Sequence, residues 1–179
     1  AGVQALDGDI LILGIAGKMG PTLGELLVRA GASRVIGVSR FSDPASRQDL
    51  EDRGIDTIKA DLLDDQALAD LPEAPYVYQM AGHKFGSTGN PSLTWAMNTL
   101  LPAKVVSRYR SSMIVYVSSG NVYKFAPVDG AGSSEADAVE PIGEYAQSRL
   151  GGERVAEHEA ARLGTPLSII RLFYATELR

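Results

Sequence analysis

Short apolar runs alternate with helical patterns along the whole chain, and this alternation restricts the fold more than any other feature. The apolar run DILILG at 9–14 is followed by a helical pattern over about 19–30 and by a second apolar run, SRVIGVS, at 33–39. The same order continues to a sixth apolar run, PLSIIRLF, at 166–173. Because parallel strands need long crossover connections, this order predicts an α/β fold: a doubly wound parallel sheet with helices on both faces and about six strands.

The chain of 179 residues is long enough for one domain, and the pattern sets approximate bounds for each element. We predict strands at 9–14, 33–39, within 56–62, 75–82, 112–120 and 166–173. Helices are predicted at about 19–30, 44–53, 64–70, 91–110 and 143–163, and Pro102 is a position that can kink the fourth of them. The Gly-, Ser- and Pro-rich segment 124–142 is predicted to be a loop that borders the mouth of a site.

Composition excludes several classes of protein without selecting one. The net charge of −5 gives no basic surface for nucleic acid, and no apolar run approaches the roughly 20 residues that span a membrane. The absence of cysteine excludes disulfides and thiol chemistry, and the N-terminus is a poor signal peptide, so we expect a cytoplasmic protein. His83 and His158 have no partners at metal-ligand spacing, which argues against a zinc site.

Three glycines follow the first strand at a Gly-x-x-Gly-x-x-Gly spacing, in the sequence GIAGKMG. They are Gly14, Gly17 and Gly20, with Lys18 and Met19 between the last two. Glycine permits a tight turn and lets the backbone approach a pyrophosphate, which the N–H groups at the start of the next helix can bind. A glycine-rich turn without a ligand is the alternative, but the position after the first strand of a doubly wound sheet favours a dinucleotide site.

The glycine spacing resembles that of the extended short-chain dehydrogenase/reductase family, which includes the NAD(P)-dependent sugar epimerases and dehydratases. The resemblance continues along almost the whole chain. It implies a Rossmann fold that binds a nicotinamide dinucleotide at these residues. It also implies that Asp61 and Leu62 border the adenine, and that the backbone of Met80, Ala81 and Gly82 lies against the cofactor, although a simple turn would use the same small residues.

The end of the second strand bears on the choice between NAD and NADP. An acidic residue at this place usually binds the ribose hydroxyls of NAD, but this chain has Ser39 and Arg40 there. Arg40 can pair with the 2′-phosphate of NADP and stack on the adenine, so we predict NADP, with NAD as the alternative. In that alternative Arg40 is a solvated loop residue and Asp43 binds the ribose.

The sequence VYVSSGNVY at 115–123 closely resembles the family's fifth-strand signature, in which a Ser or Thr holds the substrate oxygen. The match places this role on Ser119, next to Ser118, while a strand exit that caps its own backbone is the alternative. Tyr145 follows 26 residues after Ser119, on a new helix. The resemblance implies that Tyr145 is the acid/base for the proton of that oxygen, while a hydride moves to or from the nicotinamide, and that Tyr145 also contacts the cofactor.

Arg149 is the main departure from the family pattern. It lies one helical turn after Tyr145 on the same face, where the family has a lysine that stabilises the phenolate and binds the nicotinamide ribose. Arginine keeps the charge, but it is bulkier and does not deprotonate, so it cannot join a proton relay. An active enzyme and a nucleotide-binding regulatory or scaffold protein without catalysis therefore both stay open. Asn98 in WAMNTLLPA fits the family's relay asparagine, or is a simple polar position of a helix.

The resemblance also bears on the partners of the protein. It implies a small-molecule substrate with a sugar-like hydroxyl or ketone, and a homodimer through the helices at 91–110 and 143–163. In the family, specificity comes from a C-terminal region, and this sequence stops at RLFYATELR, where that region would begin, so we expect the cofactor half alone. His83 and Lys84 follow the fourth strand, near the expected mouth of the site, where either could contact substrate.

Overall fold

The computed structural model of the chain describes residues 2–84, 89–127 and 129–173. The strands are β1 Ile10–Leu13, β2 Val35–Ser39, β3 Asp56–Lys59, β4 Tyr76–Gln79, β5 Met113–Ser119 and β6 Leu167–Leu172. The helices are α1 Gly20–Arg29, α2 Pro44–Asp52, α3 Asp65–Ala69, α4 Pro91–Trp95, α5 Leu101–Arg108 and α6 Gly143–Leu163. The predicted doubly wound parallel sheet is confirmed. The sequence end at 174–179, where a C-terminal region was expected to begin, lies outside the described residues.

β1 lies inside the sheet, whose strand order is β3-β2-β1-β4-β5-β6. Ile10 pairs in parallel with Val35 of β2 on one side and with Tyr76 of β4 on the other. The chain therefore builds outward from β1 to β3 and then returns to the opposite side of β1 for β4. In such sheets a ligand binds at the carboxyl ends of the strands where the order reverses, which here is the crevice between β1 and β4.

Two hydrophobic clusters, one on each face of the sheet, hold the helices in place. Ile10 and Ile12 of β1 pack in one cluster with Leu27 of α1. Leu11 and Leu13 belong to the opposite cluster, together with side chains of α5 and α6. Because all four residues of β1 are buried and alternate between the faces, the strand reads in the sequence as one continuous apolar run.

The helix predicted at 91–110 is divided into three parts. α4 continues into a π-helical turn, Ala96–Leu100, before α5 begins. Pro102 has no N–H to donate to the carbonyl of Asn98, four residues earlier. That carbonyl instead accepts a hydrogen bond of 3.3 Å from the hydroxyl of Tyr116 on β5. The proline therefore lies where the helix is disturbed, as the sequence indicated, and the disturbance takes the form of a π-helical turn.

The segment 124–142 contains no helix or strand among its described residues. An antiparallel bridge joins Tyr123 to Val139, and Lys124 pairs with Glu140 at 3.3 Å. The segment begins after the short 3-10 turn Gly120–Val122, which follows β5, and it ends at α6. Its two ends therefore lie at the two elements that carry the predicted catalytic serine and tyrosine.

Candidate active site

A cleft of about 250 Å³ lies where the strand order reverses, between segments that follow β1, β2, β3 and β4. Nine of the residues predicted to bind the cofactor line it: Gly14, Gly17, Ser39, Arg40, Asp61, Leu62, Met80, Ala81 and Gly82. Three further lining residues were not singled out in the sequence: Ala16, Ala60 and Met97. The fold thus brings five separate segments of the chain to one place, since Met97 belongs to the π-helical turn before α5.

Gly14 allows the segments after β1 and β4 to approach each other closely in this cleft. Its φ is 91°, in the region that favours glycine, and a Cβ atom there would lie 2.6 Å from the backbone nitrogen of Ala81. The N–H of Gly14 donates to the carbonyl of Val38 at 2.9 Å, which fixes the loop against β2 as well. A side chain at this position would strain the backbone and push the segments apart.

The start of α1 fits a bound pyrophosphate. Met19 is the N-cap and makes no side-chain capping bond, while Pro21 in the first turn has no N–H to satisfy. The other N–H groups of this turn therefore have no side-chain cap and carry the partial positive charge of the helix end. Lys18 is exposed beside them, whereas Gly20 is buried against the backbone of Ile15. These two and Met19 adjoin the cleft without lining it.

The segment after β2 presents an arginine to the cleft and uses its aspartate elsewhere. Arg40 is exposed where it lines the cleft, and Phe41 turns the chain with a φ of 44° while its ring is buried. Asp43 is the N-cap of α2, and its carboxylate accepts the N–H groups of Ala45 at 3.1 Å and Ser46 at 3.3 Å. The carboxylate proposed as the ribose ligand in the NAD alternative is thus bound to a helix end.

Ser118 and Ser119 end β5 and have different partners. The hydroxyl of Ser118 donates to the carboxylate of Glu153 on α6 at 2.5 Å. The hydroxyl oxygen of Ser119 accepts the N–H of Asn121 at 3.2 Å, as the N-cap of the 3-10 turn. The backbone cap that was the alternative interpretation of Ser119 is therefore present, but it uses a lone pair of the hydroxyl and not its proton. Among the hydrogen bonds of the described residues, none uses the proton of the Ser119 hydroxyl.

Tyr145 lies in the first turn of α6, at the wall of a second cavity of about 470 Å³. Its ring is half-buried, and the ammonium group of Lys84 lies over it, 5.4 Å from the ring centroid. Asn121 of the turn after β5 lines the same cavity, next to Gly143 and Glu144 of α6. Tyr145 therefore borders an open cavity beside the end of β5.

Arg149 is buried against the end of β5 and is only 4% exposed. It donates to the carbonyl of Val117, and its guanidinium lies over the ring of Tyr116 at 4.9 Å. Gly82 leaves room for it, because a Cβ atom there would lie 2.8 Å from its Nη1. Among the hydrogen bonds of the described residues, none joins Arg149 to Tyr145. The helical spacing therefore places both residues on one face without bringing their functional groups into a bond.

Tyr116 is a buried phenol beneath the site. Burial raises its pKa to about 12, an effect that the charge of Arg149 opposes and that the charge of Glu153 reinforces. Its hydroxyl donates to the carbonyl of Asn98 at 3.3 Å. The phenol is therefore neutral at ordinary pH. Its ring packs against the guanidinium of Arg149, and we do not assign it a role as a second acid/base.

Asn98 is fully buried, and both polar atoms of its side chain have partners. Its Oδ1 accepts the N–H of His83 at 2.8 Å, and its Nδ2 donates to the carbonyl of His83 and to the hydroxyl of Ser148, each at 3.0 Å. The ring Nδ1 of His83 lies 2.9 Å from the hydroxyl of Thr94. Asn98 therefore fastens the loop after β4 to α6, which is more than a simple polar position of a helix does.

An ion pair with a fully buried carboxylate lies beside the two serines and was not predicted from the sequence. Glu153 is fully buried and is bound by Arg171 of β6, with 2.7 Å between Nη2 and Oε2. Nη1 of Arg171 also donates to the hydroxyl of Tyr123 at 2.7 Å. Glu153 follows Tyr145 by eight residues and Arg149 by four, a spacing that places all three on one face of α6. A charged residue on the buried face of a helix was the signal available in the sequence.

A comparison with family models decides where the chain belongs. The model of the NAD dependent epimerase/dehydratase family matches residues 10–175. The chain belongs to this family. The match runs from β1 past the end of β6, so it includes the glycine loop, the serines of β5 and the tyrosine of α6. The resemblance inferred from these motifs is confirmed. A search of curated proteins with this sequence found no match.

Several solved structures share the fold of this family member. UDP-glucuronic acid 4-epimerase from Bacillus cereus, in complex with UDP-glucuronic acid and NAD, is 23% identical with a TM-score of 0.76, covering 91% of this chain and 55% of that one. UDP-glucose 4-epimerase from Brucella ovis, in complex with NAD, is 20% identical with a TM-score of 0.80. The match covers 93% of this chain and 52% of that one. MoeE5, in complex with UDP-glucose and NAD, is 26% identical with a TM-score of 0.71. The match covers 90% of this chain and 52% of that one. The chain spans about half the length of these structures.

Proposed function

We propose that this family member is an NAD(P)-dependent enzyme of the epimerase, dehydratase or reductase type, acting by hydride transfer on a sugar-like or other small hydroxyl or carbonyl compound. The observation that carries the proposal is the cleft at the strand-order reversal, where the segments after β1 to β4 meet. Two of the structural neighbours contain NAD together with a UDP-sugar, which supports the same class of cofactor and substrate here.

The residues of the chain fit such a cofactor at one end of the cleft. The uncapped first turn of α1 and the glycine loop would bind the pyrophosphate, and the residues after β3, Asp61 and Leu62, would border the adenine. Met80, Ala81 and Gly82 would lie along the cofactor through their backbone. The close approach of Gly14 to Ala81 supports this assignment, since it keeps side-chain atoms out of the floor of the cleft.

Ser119 and Tyr145 are the proposed catalytic residues. The bound nicotinamide supplies the acceptor and donor of hydride. The hydroxyl of Ser119 would hold the substrate oxygen through its own proton, which the cap on Asn121 leaves available. The phenolate of Tyr145 would take the proton of the substrate hydroxyl as the hydride leaves the carbon, which leaves a carbonyl group and a neutral phenol. In the reverse direction the phenol returns the proton.

The rival proposal is a regulatory or scaffold protein that binds the nucleotide without catalysis. The burial of Arg149 against Val117 is the observation that favours it, because the guanidinium is not bonded to Tyr145. We would measure reduced nicotinamide over a panel of carbonyl compounds and sugar nucleotides, for the wild type and for Arg149→Lys. Turnover by the wild type supports the enzyme. Turnover by Arg149→Lys alone, or cofactor binding with no turnover by either protein, supports the rival.

We propose NADP as the preferred cofactor. The exposed guanidinium of Arg40 lines the cleft, whereas the carboxylate of Asp43 is bound to the start of α2. The two 4-epimerase structures contain NAD, so they do not support a preference for NADP. The proposed preference for NADP rests on Arg40 alone. In titration calorimetry, Arg40→Leu should weaken NADP binding by about ten- to a hundredfold and leave NAD binding nearly unchanged. Arg154→Leu on α6 is the control, and tighter binding of NAD than of NADP by the wild type contradicts the proposal.

We propose a homodimer through the surface formed by α6 and the helix at 91–108. Trp95 and Leu100 are 38% and 51% exposed on this helix, and Val155 on α6 is 40% exposed. Gly151 brings the two helices together, since a Cβ atom there would lie 3.4 Å from Trp95. Light scattering should give twice the chain mass of 19.0 kDa, and Leu100→Glu should give the monomer. Leu26→Glu on α1 is the control, and a monomeric wild type refutes the proposal.

The location of the protein is proposed from the sequence. None of the helices that the structure describes is long and apolar enough to cross a bilayer. The chain also lacks cysteine, which is compatible with a reducing compartment. We propose a cytoplasmic location, which fractionation of cells that express the tagged protein would test; recovery in the membrane or secreted fraction would contradict it.

A further inference from the structure

Phe41 has a strained backbone conformation directly after Arg40. Its φ is 44°, and it is the one residue with a positive φ among the non-glycine residues that the structure describes. This conformation costs free energy for a residue with a bulky side chain, and it persists only where surrounding contacts enforce it. Strain of this kind is concentrated at ligand clamps and active sites, and here it lies next to an arginine that lines the cleft.

The ring of Phe41 makes the contacts that enforce this conformation. It is only 5% exposed and belongs to the hydrophobic cluster between the sheet and α1, together with Ile12 of β1 and Leu50 of α2. The guanidinium of Arg47 lies 6.0 Å from the ring centroid, within the range of a cation–π interaction. Arg47 in turn donates to the hydroxyl of Thr57 on β3 at 2.8 Å. The ring is therefore held by the core and by an arginine that is bound to β3.

Arg40, in contrast, has an exposed side chain that borders two spaces. It lines the cleft at the strand-order reversal and also a neighbouring cavity of about 440 Å³. Asp61 and Asp64 line that cavity as well, so a guanidinium that turned into it would meet carboxylates that attract it. An arginine paired with these acids would be drawn away from a phosphate in the cleft. The backbone at Phe41 therefore matters, because it sets the direction in which the Arg40 side chain leaves the chain.

We propose that Phe41 determines the cofactor preference by holding Arg40 toward the cleft, where its guanidinium would meet the 2′-phosphate of NADP. The inference rests on the proposed function, in which Arg40 binds that phosphate. Phe41 is not among the residues that line the cleft, so it acts as a positioning residue through its neighbour. An arginine that is already oriented loses less conformational entropy when the phosphate binds, which strengthens binding of the phosphate and of nothing else.

Two nucleotides that differ only in the 2′-phosphate test this proposal by titration calorimetry. The wild type should bind adenosine 2′,5′-bisphosphate about ten- to a hundredfold more tightly than adenosine 5′-monophosphate. Phe41→Gly accepts the same φ but has no ring, and it should lower this ratio about five- to tenfold through weaker binding of the bisphosphate. Leu50→Ala is the matched control, since it removes a buried side chain of the same cluster. It should destabilise the protein and leave the ratio unchanged.

A double variant shows whether Phe41 acts through Arg40. In the Arg40→Leu background, Phe41→Gly should not change the ratio further, because the residue that it positions has been removed. If circular dichroism shows that Phe41→Gly does not fold, Phe41→Met and Leu50→Met replace the first pair of variants. Methionine stays apolar but is flexible, so Phe41→Met should lower the ratio about threefold, and Leu50→Met should not lower it.

The outcomes separate this proposal from the proposed NADP preference. An unchanged ratio in the Phe41 variant, or an equal fall in the Leu50 variant, overturns the role of Phe41, while a lower ratio in Arg40→Leu still supports Arg40 as the phosphate ligand. A further fall when Phe41→Gly is added to Arg40→Leu also overturns it. A wild type that binds the two nucleotides equally well overturns both proposals.

Discussion

Glu153 and Arg171 form an ion pair that ties α6 to β6 inside the protein. The carboxylate is fully buried and lies 2.7 Å from Nη2 of Arg171, and this contact raises the pKa of Arg171 above its usual range. Ser118 at the end of β5 donates to the same carboxylate at 2.5 Å, and Tyr123 accepts from Arg171 at 2.7 Å. Three secondary-structure elements and the turn after β5 thus meet at one pair of charges, next to the proposed catalytic serine.

Removing the acid of this pair should destabilise the protein strongly. Glu153→Ala leaves Arg171, whose side chain is 20% exposed, without its counter-charge. Breaking a fully buried pair costs about 3–5 kcal/mol, so we expect a loss of about 2–4 kcal/mol here. Urea unfolding followed by circular dichroism measures the change. Glu157→Ala removes an exposed acid that pairs with Arg154 on the same helix, and should change the free energy of unfolding by less than about 1 kcal/mol. Equal losses in the two variants would contradict the importance of the buried pair.

Tyr116 should make the protein sensitive to alkali. Burial raises the pKa of its phenol from 10.0 to about 12 in the folded protein, so between these values the unfolded chain ionises first. The stabilisation is fully present below pH 10 and is lost as the pH rises toward 12, by an amount of about 2–3 kcal/mol. Tyr116→Phe should remove this part of the alkaline loss, as measured by urea unfolding across that range. A variant that loses as much stability as the wild type would contradict the prediction.

Gly14→Ala should weaken both the fold and the cofactor site. The substitution forces alanine into a φ of 91° and brings its Cβ atom to 2.6 Å from the nitrogen of Ala81. We expect a loss of about 2–4 kcal/mol in the free energy of unfolding, and at least a tenfold loss of cofactor affinity by calorimetry. Gly132→Ala is the control, since its φ of 79° carries the same strain but no atom of the described residues lies within 4 Å of its Cβ position. It should cost about 1–2 kcal/mol and leave cofactor affinity unchanged.

Two adjacent glycines of α6 should respond differently to alanine. At Gly152 a Cβ atom would lie 2.6 Å from the hydroxyl of Tyr116 and would clash with the carbonyl of Asn98. Gly152→Ala should therefore lower the free energy of unfolding by about 1–3 kcal/mol. At Gly151 the nearest atom is the hydroxyl of Thr99 at 3.2 Å, and the gain in helix propensity offsets this tight contact. Thermal unfolding of the two variants would show the difference. A larger loss for Gly151→Ala would contradict the tighter packing at Gly152.

The fold could be predicted because its signals are local. The continuous apolar run of β1 and the helical pattern of α6, with bounds at 143–163 in both the prediction and the structure, reflect burial that each element carries in its own sequence. The alternation of the two kinds of element then allowed few arrangements of the sheet. The π-helical turn before Pro102 was not predicted, because its form depends on Tyr116, a residue of another element that binds the released carbonyl of Asn98.

The site could be predicted only in part, for the same reason. Residues proposed to act through the backbone or at the end of a strand, such as Gly14 and Ser119, are placed by the strand order, so their positions follow from the sequence pattern. The directions of long side chains do not. Arg149 turns toward Val117, Lys84 reaches over Tyr145, and Glu153 finds its partner on β6. These contacts join residues distant in sequence or depend on the space left by neighbours, and only tertiary packing determines them.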